Sequence, residues 1–114
     1  MIQTRLSAEP ASLTMDTRDR LRLTLSASNV GTEIVDPELH RAQLTVNGRR
    51  SRAFALAVGN GKRESKWYAL PPGDTVSMTW STLGERLLAE PGDYTLVLTH
   101  EGRDAEPVTV AVEP

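Results

Sequence analysis

The segment Leu21-Arg22-Leu23-Thr24-Leu25-Ser26-Ala27 decides the fold class of this chain, because its apolar and polar residues alternate without a break. An amphipathic helix needs apolar residues three and four positions apart, whereas a strand with one buried face needs them at every second position. The segment therefore predicts a β-strand that buries its leucines and exposes Arg22, Thr24 and Ser26.

The same alternation recurs along the chain, and turn residues separate the runs. Asn47-Gly48 suits a tight type I′ hairpin turn, while Pro71-Pro72-Gly73-Asp74 and Pro91-Gly92-Asp93 are rigid entries to strands. Short strands at this spacing are typical of an antiparallel sandwich rather than of βαβ units. We predict seven strands, which are A (within 1–15), B (20–27), C (41–47), C′ (52–58), E (74–81), F (93–100) and G (106–112).

Residues 82–89 are the exception to the strand pattern. Thr82 and Glu85 have the spacing of a capping box, and Leu83 and Leu87 would share one face of a helix. We predict one short helical turn here, which carries the chain from one sheet to the other. The expected fold class is therefore all-β with a single crossover turn.

Composition indicates one domain spanning residues 1–114. The 114 residues are enough for a single core, and no apolar run approaches the length of a membrane helix. There is no cysteine, which excludes disulfides and thiolate sites. The first residues lack the features of a secretory signal, which favours a cytoplasmic address. An exported domain with a new starting methionine would look the same, so export stays open.

The net charge of −2 hides an uneven distribution of charges along the chain. Residues 41–73 carry seven basic side chains against Glu64, whereas residues 74–114 carry two against eight acidic ones. Segments of opposite sign can meet in surface ion pairs, which contribute about 0 to 1 kcal/mol each. The alternative interpretation is a basic patch that binds a partner.

Several motifs resemble those of known families. The order of the strands resembles the fibronectin type III and broader immunoglobulin-like pattern, in which a tyrosine at the position of Tyr94 bonds back to upstream backbone. Three further motifs are similar to the bacterial intracellular proteinase inhibitor family: Asn29-Val30-Gly31, Leu70-Pro71-Pro72-Gly73 before a strand ending in Trp80, and Pro91-Gly92-Asp93-Tyr94. That resemblance implies a protein that blocks a protease with its end loops, but it identifies no inhibitory residue.

No catalytic, metal or nucleotide motif stands out. His40 and His100 lie in no recognisable motif, two histidines are too few for a metal site, and Gly59-Asn60-Gly61-Lys62 lacks the Walker spacing. Nucleic-acid binding is disfavoured by a pI near 5.7. We therefore expect no enzymatic activity, no cofactor, no metal, no nucleic-acid partner and no membrane span.

Recognition of another protein by loops is the function that remains. Loops on a rigid sandwich are the usual binding elements, and those at 28–40, 59–66 and 101–105 are expected to gather at one end. We predict a noncatalytic protein-binding module, and the alternative is a structural or accessory subunit of a larger assembly. The candidate binding residues are Lys62, Arg63, Lys66, His40 and Arg103.

Overall fold

The computed structural model describes residues 1–59 and 64–114. Within them the chain forms nine strands and two α-helices, and neither helix is long and apolar enough to cross a membrane. Three short 3₁₀ turns cover Met15–Arg20, Leu39–Arg41 and Ser65–Trp67. The elements are β1 (Ile2–Glu9), β2 (Ser12–Thr14), β3 (Arg22–Asn29), β4 (Gln43–Val46), β5 (Arg49–Arg50), α1 (Arg52–Gly59), β6 (Thr75–Trp80), α2 (Gly84–Leu87), β7 (Gly92–His100), β8 (Arg103–Asp104) and β9 (Val108–Glu113).

The strands form two sheets that share one core. The first sheet has the order β1-β3-β6, and the second has the order β2-β9-β7-β4-β5 with β8 beside β7. All pairs are antiparallel except β2 with β9. The predicted strand A is thus divided, because β1 pairs in the first sheet and β2 in the second.

Burial in the central strands confirms the period of two. In β3, Leu23, Leu25 and Ala27 are fully buried while the residues between them are more exposed. Leu96 and Leu98 of β7 are buried in the same way from the opposite sheet. The predicted strands B, C, E, F and G are all present, and the fold is β-rich as expected.

The predicted strand C′ over 52–58 is wrong, because these residues form helix α1. Phe54 and Val58 are buried four positions apart, whereas Leu56 between them is 57% exposed. Three alanines in the segment favour a helix, and the Ser51 hydroxyl caps its first turn by accepting the Phe54 N–H at 3.1 Å. After the predicted Asn47-Gly48 turn, in which both residues have positive φ, the chain runs back along β4 for Arg49 and Arg50 and then enters α1.

The short crossover turn is confirmed as α2. Leu83 and Leu87 are both buried, as their spacing predicted. The capping box from Thr82 to Glu85 is not formed, since Leu83 occupies the N-cap position and no side chain caps the helix. Tyr94 forms the expected corner, because its hydroxyl donates to the Glu90 carbonyl at 2.6 Å and accepts the Glu90 N–H at 3.1 Å.

Candidate functional site

Loops from both sheets meet at the end of the fold where β3 and β7 finish. We call this the loop end, and define it as the described parts of residues 30–42, 64–74 and 101–107. The His100 ring donates from Nε2 to the Pro37 carbonyl at 2.6 Å, which joins the end of β7 to the loop after β3. An isolated bridge between Val35 and Leu70 joins that loop to the segment before β6. The loops at 28–40 and 101–105 therefore lie close together, and the third predicted loop, 59–66, falls partly outside the described residues.

Asn29 holds the base of the loop end. Its side chain is buried, and its Nδ2 donates to the carbonyls of Glu33 and Leu70 at 2.7 and 2.8 Å. Its Oδ1 accepts the N–H of Gly31 at 2.9 Å. A buried amide with three hydrogen bonds satisfies its own polar atoms and fixes the backbone of two loops at once.

The two histidines occupy different environments. His100 is buried and uses one ring nitrogen on the Pro37 carbonyl, whereas His40 is exposed on a 3₁₀ turn. Among the described residues, no group of three or more histidines, cysteines or carboxylates is placed to hold a metal ion. The role that the structure gives His100 is to hold two loops together.

Of the predicted basic residues, the structure describes Lys66 and Arg103. Lys66 Nζ lies 3.0 Å from Asp74 Oδ2, which offsets its charge, and Arg103 is exposed on β8. Lys62 and Arg63 lie outside the described residues. Arg49 and Arg50, from the same basic stretch of sequence, are exposed on β5 beside a separate groove.

Lys66 is the main cause of a lowered pKa at Asp74. Its hydrogen bond and the backbone N–H of Thr75 lower the pKa of Asp74 below the ordinary value. A lowered pKa in the folded state means that the interaction stabilises the fold above the ordinary carboxyl pKa and is lost as the pH falls through the folded value.

We expect Lys66→Met to raise the pKa of Asp74 part of the way toward its ordinary value, because the hydrogen bond to Thr75 remains. Carboxyl chemical shifts followed by NMR across acidic pH measure this change. Arg41→Met is the matched control, since Arg41 pairs with Glu38 instead. The same Asp74 titration in wild type and Lys66→Met would show that Lys66 does not lower the pKa.

Exposed apolar side chains are the feature of the loop end that the sequence interpretation missed. Val30, Ile34 and Tyr68 are 55%, 66% and 57% exposed, and Met1, whose carbonyl accepts the Val30 N–H, is 65% exposed. Among the described residues, Leu56 of α1 is the one other large apolar side chain with comparable exposure. The sequence signal was present, since Val30 and Ile34 interrupt a polar loop.

A groove of about 790 Å³ adjoins the loop end. Residues 1–6 form one wall, and residues 103–108 form the other. Val30 and His100 also line it, so the groove adjoins both the loop end and β1.

Comparison with known proteins gives a likeness of fold. No family model matches the chain, and no curated protein matches it. A solved structure of a β-glucosidase from Erythrobacter marinus matches with a TM-score of 0.57 and 20% identity, over 98% of this chain and 15% of that one. This chain thus corresponds in length to about one seventh of the enzyme that it matches.

This comparison corrects one expectation. We predicted from the absence of catalytic motifs that the chain has no enzymatic activity. The matching solved structure belongs to an enzyme, so that prediction is contradicted. Motif searching failed here because a domain can share its fold with part of an enzyme without carrying any recognisable motif. At 20% identity, what the chain shares with the β-glucosidase structure is its fold.

Proposed function

We propose that this chain is an immunoglobulin-like domain that binds another protein through its loop end. The observation that carries the proposal is the exposure of Val30, Ile34 and Tyr68 on loops at one end. Apolar side chains grouped on a surface lose contact with water when a partner covers them, and each square ångström buried contributes about 25 cal/mol. On the described surface, the other large apolar side chains with comparable exposure are Met1, which is bonded to Val30, and Leu56 of α1.

Order in the loops supports the same proposal. Asn29 joins the loop after β3 to Leu70, and His100 joins the other side of that loop to β7. A binding surface held by buried hydrogen bonds loses little conformational freedom when a partner docks. The apolar side chains are therefore presented on backbone that already has a defined shape.

The immunoglobulin-like part of the proposal rests on strand order. The order β1-β3-β6 facing β2-β9-β7-β4 corresponds to strands A, B and E facing A′, G, F and C. The parallel pairing of β2 with β9 and the corner formed by Tyr94 agree with that assignment. Helix α1 stands where the pattern would place a further strand, which is the main departure.

The partner that we favour is another subunit of an enzyme assembly. The β-glucosidase structure supports this choice, since the matched part is 15% of a much longer enzyme chain. In such an arrangement the domain packs through an apolar surface on a larger body, and the loop end offers one. This proposal retains the accessory role that the sequence left open as an alternative.

Site-specific photo-crosslinking tests the proposal. A photoreactive phenylalanine analogue replaces Ile34 or Tyr68 in the full chain, and the same analogue replaces Leu56 in the control. We expect positions 34 and 68 to crosslink one partner protein in native lysate, while position 56 does not. The Val30→Ser and Ile34→Ser variants should abolish capture of that partner.

Two outcomes would contradict the proposal. Crosslinks of equal yield from all three positions would indicate nonspecific adhesion of apolar side chains. Retention of the partner by the Val30→Ser/Ile34→Ser double variant would place its binding surface elsewhere. Circular dichroism on each variant confirms that the fold is intact before the comparison is made.

A further inference from the structure

Strand β1 forms a free edge of the first sheet. It pairs with β3 on one side, and no described strand pairs with its other side. The N–H of Val30 donates to the carbonyl of Met1 at 2.9 Å, which identifies Met1 and Val30 as a hydrogen-bonded antiparallel pair. Because such pairs recur at every second residue, the odd-numbered residues of β1 bond to β3. The N–H and C=O groups of Thr4, Leu6 and Ala8 therefore point outward, away from β3.

This edge has few of the features that usually block pairing. Natural edge strands are short, carry inward-pointing charges, or contain proline or a bulge. β1 is eight residues long and pairs with β3 in an unbroken register from Ile2 to Glu9, so it contains no bulge. Its only charged side chains, Arg5 and Glu9, lie on the exposed face of the sheet. The groove described above separates residues 1–6 from residues 103–108, so that segment does not pair with this part of the edge.

The exposed face of β1 is complementary to itself in one antiparallel register. When Ser7 lies opposite Ser7 of a second copy, Arg5 of each chain lies opposite Glu9 of the other. Directly opposite side chains of unlike charge stabilise an antiparallel pair. In the same register Leu6 and Ala8 become the hydrogen-bonded pair, so their outward N–H and C=O groups are both used.

Other registers that keep the two faces aligned do not place Arg5 opposite Glu9. A register centred on Arg5 places two arginines opposite each other, and like charges at directly opposite positions destabilise the pair. A register centred on Leu6 leaves Arg5 opposite Ser7. Within the chain, Glu9 also lies opposite Arg22 of β3, so Arg5 of the second copy would complete a row of alternating charge across the interface.

We propose that two copies of this chain associate through β1 in the register that places Ser7 opposite Ser7. The two three-stranded sheets then join into one continuous antiparallel sheet across a twofold axis. The contact uses the edge of β1 and the exposed face of its sheet. It is therefore independent of the proposal that Val30, Ile34 and Tyr68 bind a different protein.

A charge-exchange experiment tests this register. Sedimentation velocity on the full chain between about 1 µM and about 1 mM measures the dimer dissociation constant over the affinity range of weak to moderate complexes. We expect Arg5→Glu and Glu9→Arg to weaken the dimer separately by about tenfold or more, because each creates two repulsive pairs per dimer. A one-to-one mixture of the two variants should restore association, since both cross-pairs are then between unlike charges.

Two further measurements make the result specific. Arg86→Glu changes the charge by the same amount on α2 and should leave the dimer unaffected. Hydrogen exchange at the amides of Leu6 and Ala8 should slow as the protein concentration rises, while exchange at α2 stays constant. A chain that remains monomeric throughout the concentration range overturns the proposal. A dimer that tolerates both single variants, or that the mixture fails to restore, also overturns it.

Discussion

Replacing Phe54 by alanine will lower the free energy of unfolding by about 3 to 5 kcal/mol, the usual cost of emptying a large buried aromatic site. The Phe54 side chain is completely buried, and its ring meets Trp80 edge to face with the centroids 5.3 Å apart. This contact joins α1 to the edge strand of the first sheet, so its loss exposes the side of the core that α1 covers. Urea denaturation followed by tryptophan fluorescence measures the change.

Leu56→Ala is the matched control for this prediction. Leu56 is 57% exposed on the outer side of α1, so its truncation should change stability by less than about 0.5 kcal/mol. A strand over residues 52–58 would bury Phe54, Leu56 and Val58 on one face. In that case Phe54→Ala and Leu56→Ala would lower the free energy of unfolding by similar amounts. Comparable losses from Phe54→Ala and Leu56→Ala would therefore contradict the helix.

Replacing Gly84 by alanine should destabilise the chain by at least about 3 kcal/mol, the upper part of the range for overpacked sites. A Cβ at this position would lie 1.8 Å from the carbonyl oxygen of Arg18. That oxygen is backbone and cannot rotate away. It is also held in place, because it accepts the N–H of Leu21 at 3.2 Å while the Arg18 side chain donates to the Leu88 carbonyl at 2.9 Å.

Thermal unfolding checks the Gly84 prediction, with a fall in Tm of more than about 10 °C expected for a domain of this size. Gly59→Ala is the control, since a Cβ there meets no described atom within 4 Å. It should shift Tm by no more than about 2 °C. A Gly84→Ala protein as stable as wild type would show that α2 does not pack against the Met15–Arg20 turn at the distance described.

Most of the strands could be predicted from the sequence, and α1 could not. The alternation in Leu23, Leu25 and Ala27 has one geometric interpretation, because a helix would spread those residues around its surface. The segment with Phe54, Leu56 and Val58 is ambiguous, since apolar residues at positions i, i+2 and i+4 fit a strand face and, through i and i+4, a helix face. Its three alanines favour a helix, a signal that the prediction from the period did not use.

The meeting of loops at one end could be expected from the sequence, whereas the exposed apolar side chains there were missed. The sequence indicated that loops from both sheets meet at one end, which the contact between His100 and Pro37 shows. It left open whether the basic stretch forms ion pairs or a binding patch, and among the described residues Lys66 is paired with Asp74 while the loops expose apolar side chains. Counting charges along the sequence does not reveal which opposite charges meet in the folded chain. An ion pair such as Lys66 with Asp74 therefore cannot be predicted from the charge count.

The sequence by itself determined that this chain forms β-strands with one buried face, because side chains of an extended backbone alternate between faces wherever the strand lies. Only the tertiary structure decided whether an ambiguous segment such as 52–58 became a strand or a helix. It also decided which strand edges were left without a pairing strand among the described residues. Phe54 is held as part of a helix by Trp80, which lies far away along the chain. β1 is an edge because no described strand pairs with its outer side. Both outcomes depend on contacts between distant segments, and such contacts leave no local period to detect.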